Sequence, residues 1–220
     1  MPTLMPTPIR FYFDFISPYA YLAWHRIHAI AEAHGRTVEP VPILFAALLN
    51  HWGHKGPAEI PPKRMYVLKD TLRTAHTFGL RLEPPPTHPF NPLLGLRIAS
   101  LDVDASTRRA VIDALFAATW GGGDGITDAA SVARIAATAG IDDAIARAAE
   151  PAAKARVRAA TDAALAAGVF GVPTMVCDDE LFWGVDSLHH LERFLRGEMQ
   201  TPGDAEILAR WGSLKASATR

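Results

Sequence analysis

Apolar positions cluster at the two ends of the chain in short β-type runs and recur at helical spacing in between. Ile9, Phe11, Tyr12, Phe13 and Phe15 are aromatic or β-branched types that favour strands, so Ile9 to Phe15 is predicted to be one. Ser17-Pro18 ends it, pairing a good N-cap with a proline at the first helical position. From Tyr19 to Ala33, Ala20, Ala23, Trp24, Ile27, Ile30 and Ala31 mark a helix, and Gly35 supplies its stop. A second strand is expected over Val38 to Leu44, at a sheet edge where Pro40 and Pro42 are tolerated. Two strands joined by a helix imply a parallel pair with a right-handed crossover.

The middle of the chain reads as helices only. Pro61-Pro62 opens one that ends near Gly79, and a Pro-rich connector, Glu83 to Pro89, leads to another capped by Asn91. Helices are expected over Ser106 to Trp120, Asp128 to Thr138 and Asp142 to Ala149, and from Pro151 to Gly168. No period survives the intervening glycines and prolines, which excludes a repeat or a coiled coil. Strand signals return as a hairpin, Thr174 to Cys177 and Glu180 to Trp183 around Asp178-Asp179. Asp186 is expected to cap a helix over Ser187 to Arg196, stopped by Gly197. The tail from Gln200 is expected to pack loosely, with Trp211 as its anchor.

The order β-α-β, a helical block, then β-β-α predicts a four-stranded mixed sheet flanked by helices. This is an α/β, thioredoxin-like plan carrying a large all-helical insertion. The expected divisions are 7–45 and 165–199 for the two parts of the thioredoxin-like domain, 46–164 for the insertion and 200–220 for a C-terminal tail.

Composition narrows the chemistry. Among 220 residues the formal net charge is −1, so no basic excess exists to hold a nucleic acid. One cysteine, Cys177, excludes an intrachain disulfide and a thiolate metal cluster, and it reads as a buried small apolar residue. Met1 to Pro8 lack the pattern of a signal peptide, and no apolar run is long enough to span a bilayer; the expected location is the cytoplasm. Nine histidines include the i,i+3 pairs His25/His28 and His51/His54, but no acidic or cysteine partner completes a recognised set, and no metal site is expected.

Two positions carry site chemistry. Ser17 reads either as an ordinary N-cap or as a donor at the positive end of a helix, where an anion is stabilised. The tetrapeptide Ser17-Pro18-Tyr19-Ala20 has sulfur at neither end, so disulfide exchange there is excluded. A serine hydroxyl in this place can hydrogen-bond a thiolate brought by a ligand and lower that thiol's pKa. In Gly171-Val172-Pro173-Thr174, the proline reads either as a simple strand start or as a cis Val172–Pro173 bond. The cis form turns the Val172 N–H and C=O outward, toward Ser17, for pairing with an extended peptide. Glutathione has such a peptide middle.

Phe11-Tyr12-Phe13-Asp14-Phe15-Ile16-Ser17-Pro18-Tyr19-Ala20-Tyr21-Leu22-Ala23, Val169-Phe170-Gly171-Val172-Pro173-Thr174-Met175 and Phe182-Trp183-Gly184-Val185-Asp186 resemble the 2-hydroxychromene-2-carboxylate isomerases. These are relatives of the kappa-class glutathione transferases and, more distantly, of the DsbA oxidoreductases. Pro62-Lys63 and His88-Pro89-Phe90-Asn91-Pro92 extend the likeness through the middle of the chain. The resemblance implies glutathione as cofactor, with Ser17 beside its sulfur and Val172 and Pro173 at its cysteinyl backbone. It puts Lys63 near the glycine carboxylate, Asp186 at the γ-glutamyl amino group, and Val185 beside that aspartate where a small polar residue is usual. His54 stands where an asparagine often contacts glutathione. The implied substrate is a small aromatic carboxylate, with Phe90, Asn91, Trp52 and Trp120 as expected lining residues, and the implied assembly is a homodimer. The implied reaction interconverts a 2-hydroxychromene-2-carboxylate and a trans-o-hydroxybenzylidenepyruvate in naphthalene-type aromatic catabolism. A kappa-like transferase or peroxidase of broad scope and a cysteine-less thioredoxin-like binding domain are the alternatives.

Overall fold

The structure, a computed structural model, describes residues 7–199 and 202–212. In chain order it contains β1 (Ile9–Phe13), α1 (Pro18–Ala33), β2 (Val38–Pro42) and α2 (Phe45–Trp52). The helical block follows: α3 (Pro61–Phe78), α4 (Leu93–Ala99), α5 (Ala105–Trp120), α6 (Ala129–Thr138), α7 (Ala144–Ala149) and α8 (Pro151–Ala166). The chain then forms β3 (Thr174–Cys177), β4 (Glu180–Trp183), α9 (Leu188–Leu195) and α10 (Asp204–Trp211).

The sheet order is β2-β1-β3-β4. β1 runs parallel to β2 and antiparallel to β3, and β3 pairs antiparallel with β4. β2 is an edge strand, which is why Pro40 and Pro42 can stand opposite Phe11 and Phe13 without breaking an inner ladder. Alternation along β1 divides the core in two. Ile9, Phe11 and Phe13 pack with Trp24 of α1 and Phe116 of α5, while Tyr12 joins Ile43, Leu48, Val176 and Ala164 on the opposite face. The helices from α4 to α7 complete the larger core, while α2 and α8 reach the smaller one, so the insertion forms no separate core of its own.

Three elements depart from the sequence reading. The second strand stops at Pro42, and α2 follows it where no helix was expected. The N-cap of α2, Leu44, offers no side-chain acceptor, so the sequence carries no start signal there. Its first N–H groups are met from far away instead: Leu44 N–H donates to Thr161 Oγ1 at 3.1 Å and Phe45 N–H to Asp14 Oδ2 at 2.9 Å. Asp186 does not cap α9; it lies inside a single 3-10 turn, Val185–Ser187, and Ser187 stands at the N-cap position. In the tail, residues 200–201 and 213–220 lie outside the described residues. Between them α10 forms from good helix formers, supported by a Glu206–Arg210 ion pair of 2.9 Å at i,i+4. Trp211, expected as an anchor, is 63% exposed on it.

Candidate active site

β1 delivers the chain to a tight loop, Asp14 to Ser17, at the N-terminus of α1. Ser17 is the N-cap: its Oγ accepts the Ala20 N–H at 3.2 Å, and Pro18 occupies the first helical position. The same hydroxyl donates to the Val172 carbonyl at 3.4 Å, a long and therefore weak bond. The Val172–Pro173 peptide is cis. One atom, Ser17 Oγ, thus caps the helix and faces the peptide edge before β3. Among the described residues, the Val172 N–H donates to no backbone acceptor.

Beside this junction lies a cleft of about 730 Å³, walled by α1, α3, the segment from Trp183 to Asp186, and α9. Val172, Pro173, Val185 and Asp186 line it, and Ser17 abuts it through Val172. Gly171 is needed behind the wall, because a β-carbon there would meet the indole nitrogen of Trp183 at 2.5 Å. Trp183, itself half-exposed, packs against Phe170 with ring centroids 5.1 Å apart.

Several walls come from residues the sequence reading passed over. Tyr66, Asp70, Thr74 and Phe78 form one stripe of α3 facing α1, at the i,i+4 spacing of a single helix face. From α1, Tyr19 reaches across and donates its hydroxyl to Asp70 Oδ2 at 2.8 Å. Burial, the bond to Asp70 and the nearby carboxylates push the Tyr19 phenol above its usual range, so it stays protonated. Arg26, two turns further along α1, lies 5.1 Å above the Phe78 ring and opens into the same cleft. The regular spacing of 66, 70, 74 and 78 was visible in the sequence, but which face of α3 meets α1 is decided by tertiary packing.

The other expected site residues stand elsewhere. Lys63 is exposed on the first turn of α3, one turn before Tyr66, and His54 is exposed just past the end of α2. Trp52 is 43% exposed, its indole N–H reaching the Val169 carbonyl at 3.4 Å, so it flanks the Val169–Pro173 loop from outside the cleft. Trp120 corrects an expectation: it is 2% exposed, and its indole N–H donates to the Phe15 carbonyl at 2.8 Å, which makes it a brace under the Ser17 loop and no substrate wall. Phe90 is half-buried against the main core, and Asn91 is exposed, its Oδ1 accepting the Leu93 N–H at 3.0 Å, while Pro92 and not Asn91 holds the N-cap position of α4. Neither lines this cleft.

Two more groups bear on the site. Asp14, 1% exposed, accepts N–H groups from Ile16 and Phe45; burial outweighs those bonds and pushes its carboxyl up to about 7. Cys177 is buried in β3, and that burial raises its thiol, which disfavours the thiolate form a nucleophile needs. Among the described residues no three His, Cys, Asp or Glu side chains group as a metal site, and no helix is long and apolar enough to cross a membrane.

A serine at a helix N-terminus opposite a cis-proline edge, on this sheet order, defines a class. The model of the DSBA-like thioredoxin domain matches residues 8–196. Within that class the chain belongs to the 2-hydroxychromene-2-carboxylate isomerase family, and by family it is an isomerase. It is 32% identical over 195 residues to the 2-hydroxychromene-2-carboxylate isomerase of Sphingobium xenophagum, across 87% of this chain and 99% of that protein. The solved structure of a 2-hydroxychromene-2-carboxylate isomerase superposes with a TM-score of 0.81 at 28% identity, covering 87% of this chain and 95% of the other. A shorter likeness, 34% over 79 residues, links the chain to glutathione S-transferase kappa 1 of Caenorhabditis elegans, over 36% of this chain and 35% of that protein.

Proposed function

We propose that the chain binds glutathione in this cleft and uses it to interconvert 2-hydroxychromene-2-carboxylate and trans-o-hydroxybenzylidenepyruvate. The observation that carries the reading is the Ser17 hydroxyl held 3.4 Å from the Val172 carbonyl beside the cis Val172–Pro173 bond. An open N–H at Val172 and a carbonyl occupied only by a weak bond are the donor and acceptor that an extended peptide needs. The residues therefore fit a tripeptide.

When bound, glutathione would supply a thiolate nucleophile: with the ring C–O bond of the chromene opened to the ketone, addition to the conjugated carbon would leave a rotatable single bond, and expulsion of the same thiolate would give the trans alkene. Ser17 turns its proton from Val172 toward the sulfur, and with the positive end of α1 and the Tyr19 N–H it favours the charged form. Val172 holds the cysteinyl backbone. Asp186, exposed on the rim, meets the γ-glutamyl amino group, and Lys63 at the start of α3 serves the glycine carboxylate. The rings of Tyr19, Tyr66 and Phe78 give the aromatic substrate an apolar face, and Arg26 supplies a cation for its carboxylate. His54, exposed just past α2, meets the outer edge of the cofactor.

The wider setting is also proposed. A single buried cysteine and the family reaction fit a cytoplasmic step of aromatic catabolism. A homodimer is supported by α3, whose outer face exposes Met65, Leu68 and Leu72 at i, i+3 and i+7 with no cover in the single chain. Light scattering is expected to report two copies, and a monomer at micromolar concentration rejects this.

Retention on immobilised glutathione, reversed by free glutathione, tests the cofactor. A chain that flows through is the binding-domain alternative, without this cofactor. Turnover of the chromene in preference to a chlorinated arene is expected; the reverse preference indicates a broad-scope transferase.

A further inference from the structure

The loop that carries Ser17 is tied down group by group. Asp14 O accepts the Ser17 N–H at 3.1 Å, Asp14 Oδ1 accepts the Ile16 N–H at 3.1 Å, and Phe15 O accepts the Trp120 indole at 2.8 Å. The remaining carbonyl, Ile16 O, lies 3.0 Å from Nε2 of His88. A carbonyl oxygen only accepts, so Nε2 carries the proton there. The peptide unit between Ile16 and Ser17 is therefore held at both ends, its N–H by Asp14 and its C=O by His88. That plane sets the backbone angle from which the Ser17 side chain departs, an extended φ of −95° with ψ of 116°.

His88 is itself fixed. It is half-buried in the connector between α3 and α4, where the His88–Pro89 bond is cis. Its ring meets Trp120 edge-on at 5.5 Å and Phe90 at 6.3 Å between centroids. Trp120 and His88, 32 residues apart in sequence, thus reach adjacent carbonyls of the same loop from the inserted part of the chain.

We infer that His88 is a positioning residue for Ser17: its Nε2–H holds the Ile16 carbonyl and so aims the Ser17 hydroxyl at the Val172 edge and the sulfur that lodges there. This rests on the glutathione reading above. Removing the donor frees one end of the peptide plane while leaving Val172 and Asp186 untouched. The effect falls on the state of the thiol and on turnover, and not on cofactor affinity.

The test compares His88→Phe, a ring without the donor, with His88→Gln, whose amide N–H has a similar reach. Ultraviolet thiolate absorbance of bound glutathione, followed against pH, reads the thiol. In H88F the thiol pKa is expected to rise and kcat to fall about tenfold or more, with KM for glutathione within about twofold. H88Q is expected to restore most of both. A folded H88F with wild-type thiol pKa and kcat overturns the inference, and so does a folded H88Q that restores neither. Nitrogen-15 NMR of the wild-type chain keeps the test open if the variants do not fold: a proton on Nε2 of His88 is required, and the Nδ1–H tautomer rejects the role. A wild-type chain that shows no bound thiolate at all refutes the glutathione reading instead, which separates the two failures.

Discussion

The Ser17 hydroxyl accepts the Ala20 N–H at 3.2 Å and donates to Val172 at 3.4 Å, so the helix cap and the proposed chemistry share one oxygen. In Ser17→Ala the cap is lost at a cost of about 1 kcal/mol, and the fold is expected to survive. Turnover is expected to fall by about a hundredfold or more, as when one preorganised donor to a developing anion is removed. Unchanged turnover removes Ser17 from the mechanism. Asp14, three residues earlier, gives a pH signature. Burial raises its carboxyl from 3.8 to about 7, so across that window the folded chain holds a proton that the unfolded chain has released. Its contribution is therefore full below pH 4 and is lost as pH rises toward 7. Relative to wild type, Asp14→Asn is expected to gain up to about 1.4 kcal/mol of stability per pH unit over that range. Burial lowers His28 to about 4, which tilts stability the other way, but His28 is present in both proteins and cancels in the difference. A flat difference between pH 4 and 7, read from urea midpoints, contradicts the assignment.

Among the elements, those with local signals were legible and those started from a distance were not. α1 announces itself through Ser17-Pro18, and the hairpin through Asp178-Asp179, both of which adopt positive φ at the turn. α2 has no such mark, because its first donors are met by Asp14 and Thr161, the latter 117 residues away from Leu44. Thr161 is 4% exposed and also donates to the Val157 carbonyl within α8. Thr161→Val keeps the shape but orphans the Leu44 N–H, and a loss of about 1–3 kcal/mol is expected from denaturant unfolding with an unchanged m-value. An unshifted midpoint means α2 does not depend on that bond. Gly171 plays a comparable part behind β4. Gly171→Ala pushes into the Trp183 indole, and weaker retention on immobilised glutathione in a folded variant is expected. Full retention shows that the Trp183 wall does not matter to the cofactor.

At the scale of the molecule, the site is assembled from the two ends of the chain and braced by its middle. The Ser17 and Val172 positions were legible as backbone features, a helix start and an X-Pro before a strand, whereas Asp186 was read as a helix cap and stands instead in a 3-10 turn. The substrate side was not legible. The resemblance implies Trp120 and Phe90 there, yet packing sends Trp120 under the loop and Phe90 against the edge of the core. The aromatic face is made by Tyr19, Tyr66 and Phe78, whose orientation depends on how α3 settles against α1. The inserted block thus borders the candidate site: it walls the cleft through α3 and contacts the Ser17 loop through His88 in the α3–α4 connector and Trp120 at the end of α5.

The decisive measurement is the conversion of 2-hydroxychromene-2-carboxylate by the purified chain, followed by absorbance with glutathione present and then removed. With glutathione as the source of the thiol, turnover rises with its concentration to saturation and stops without it. Equal turnover in its absence contradicts the account.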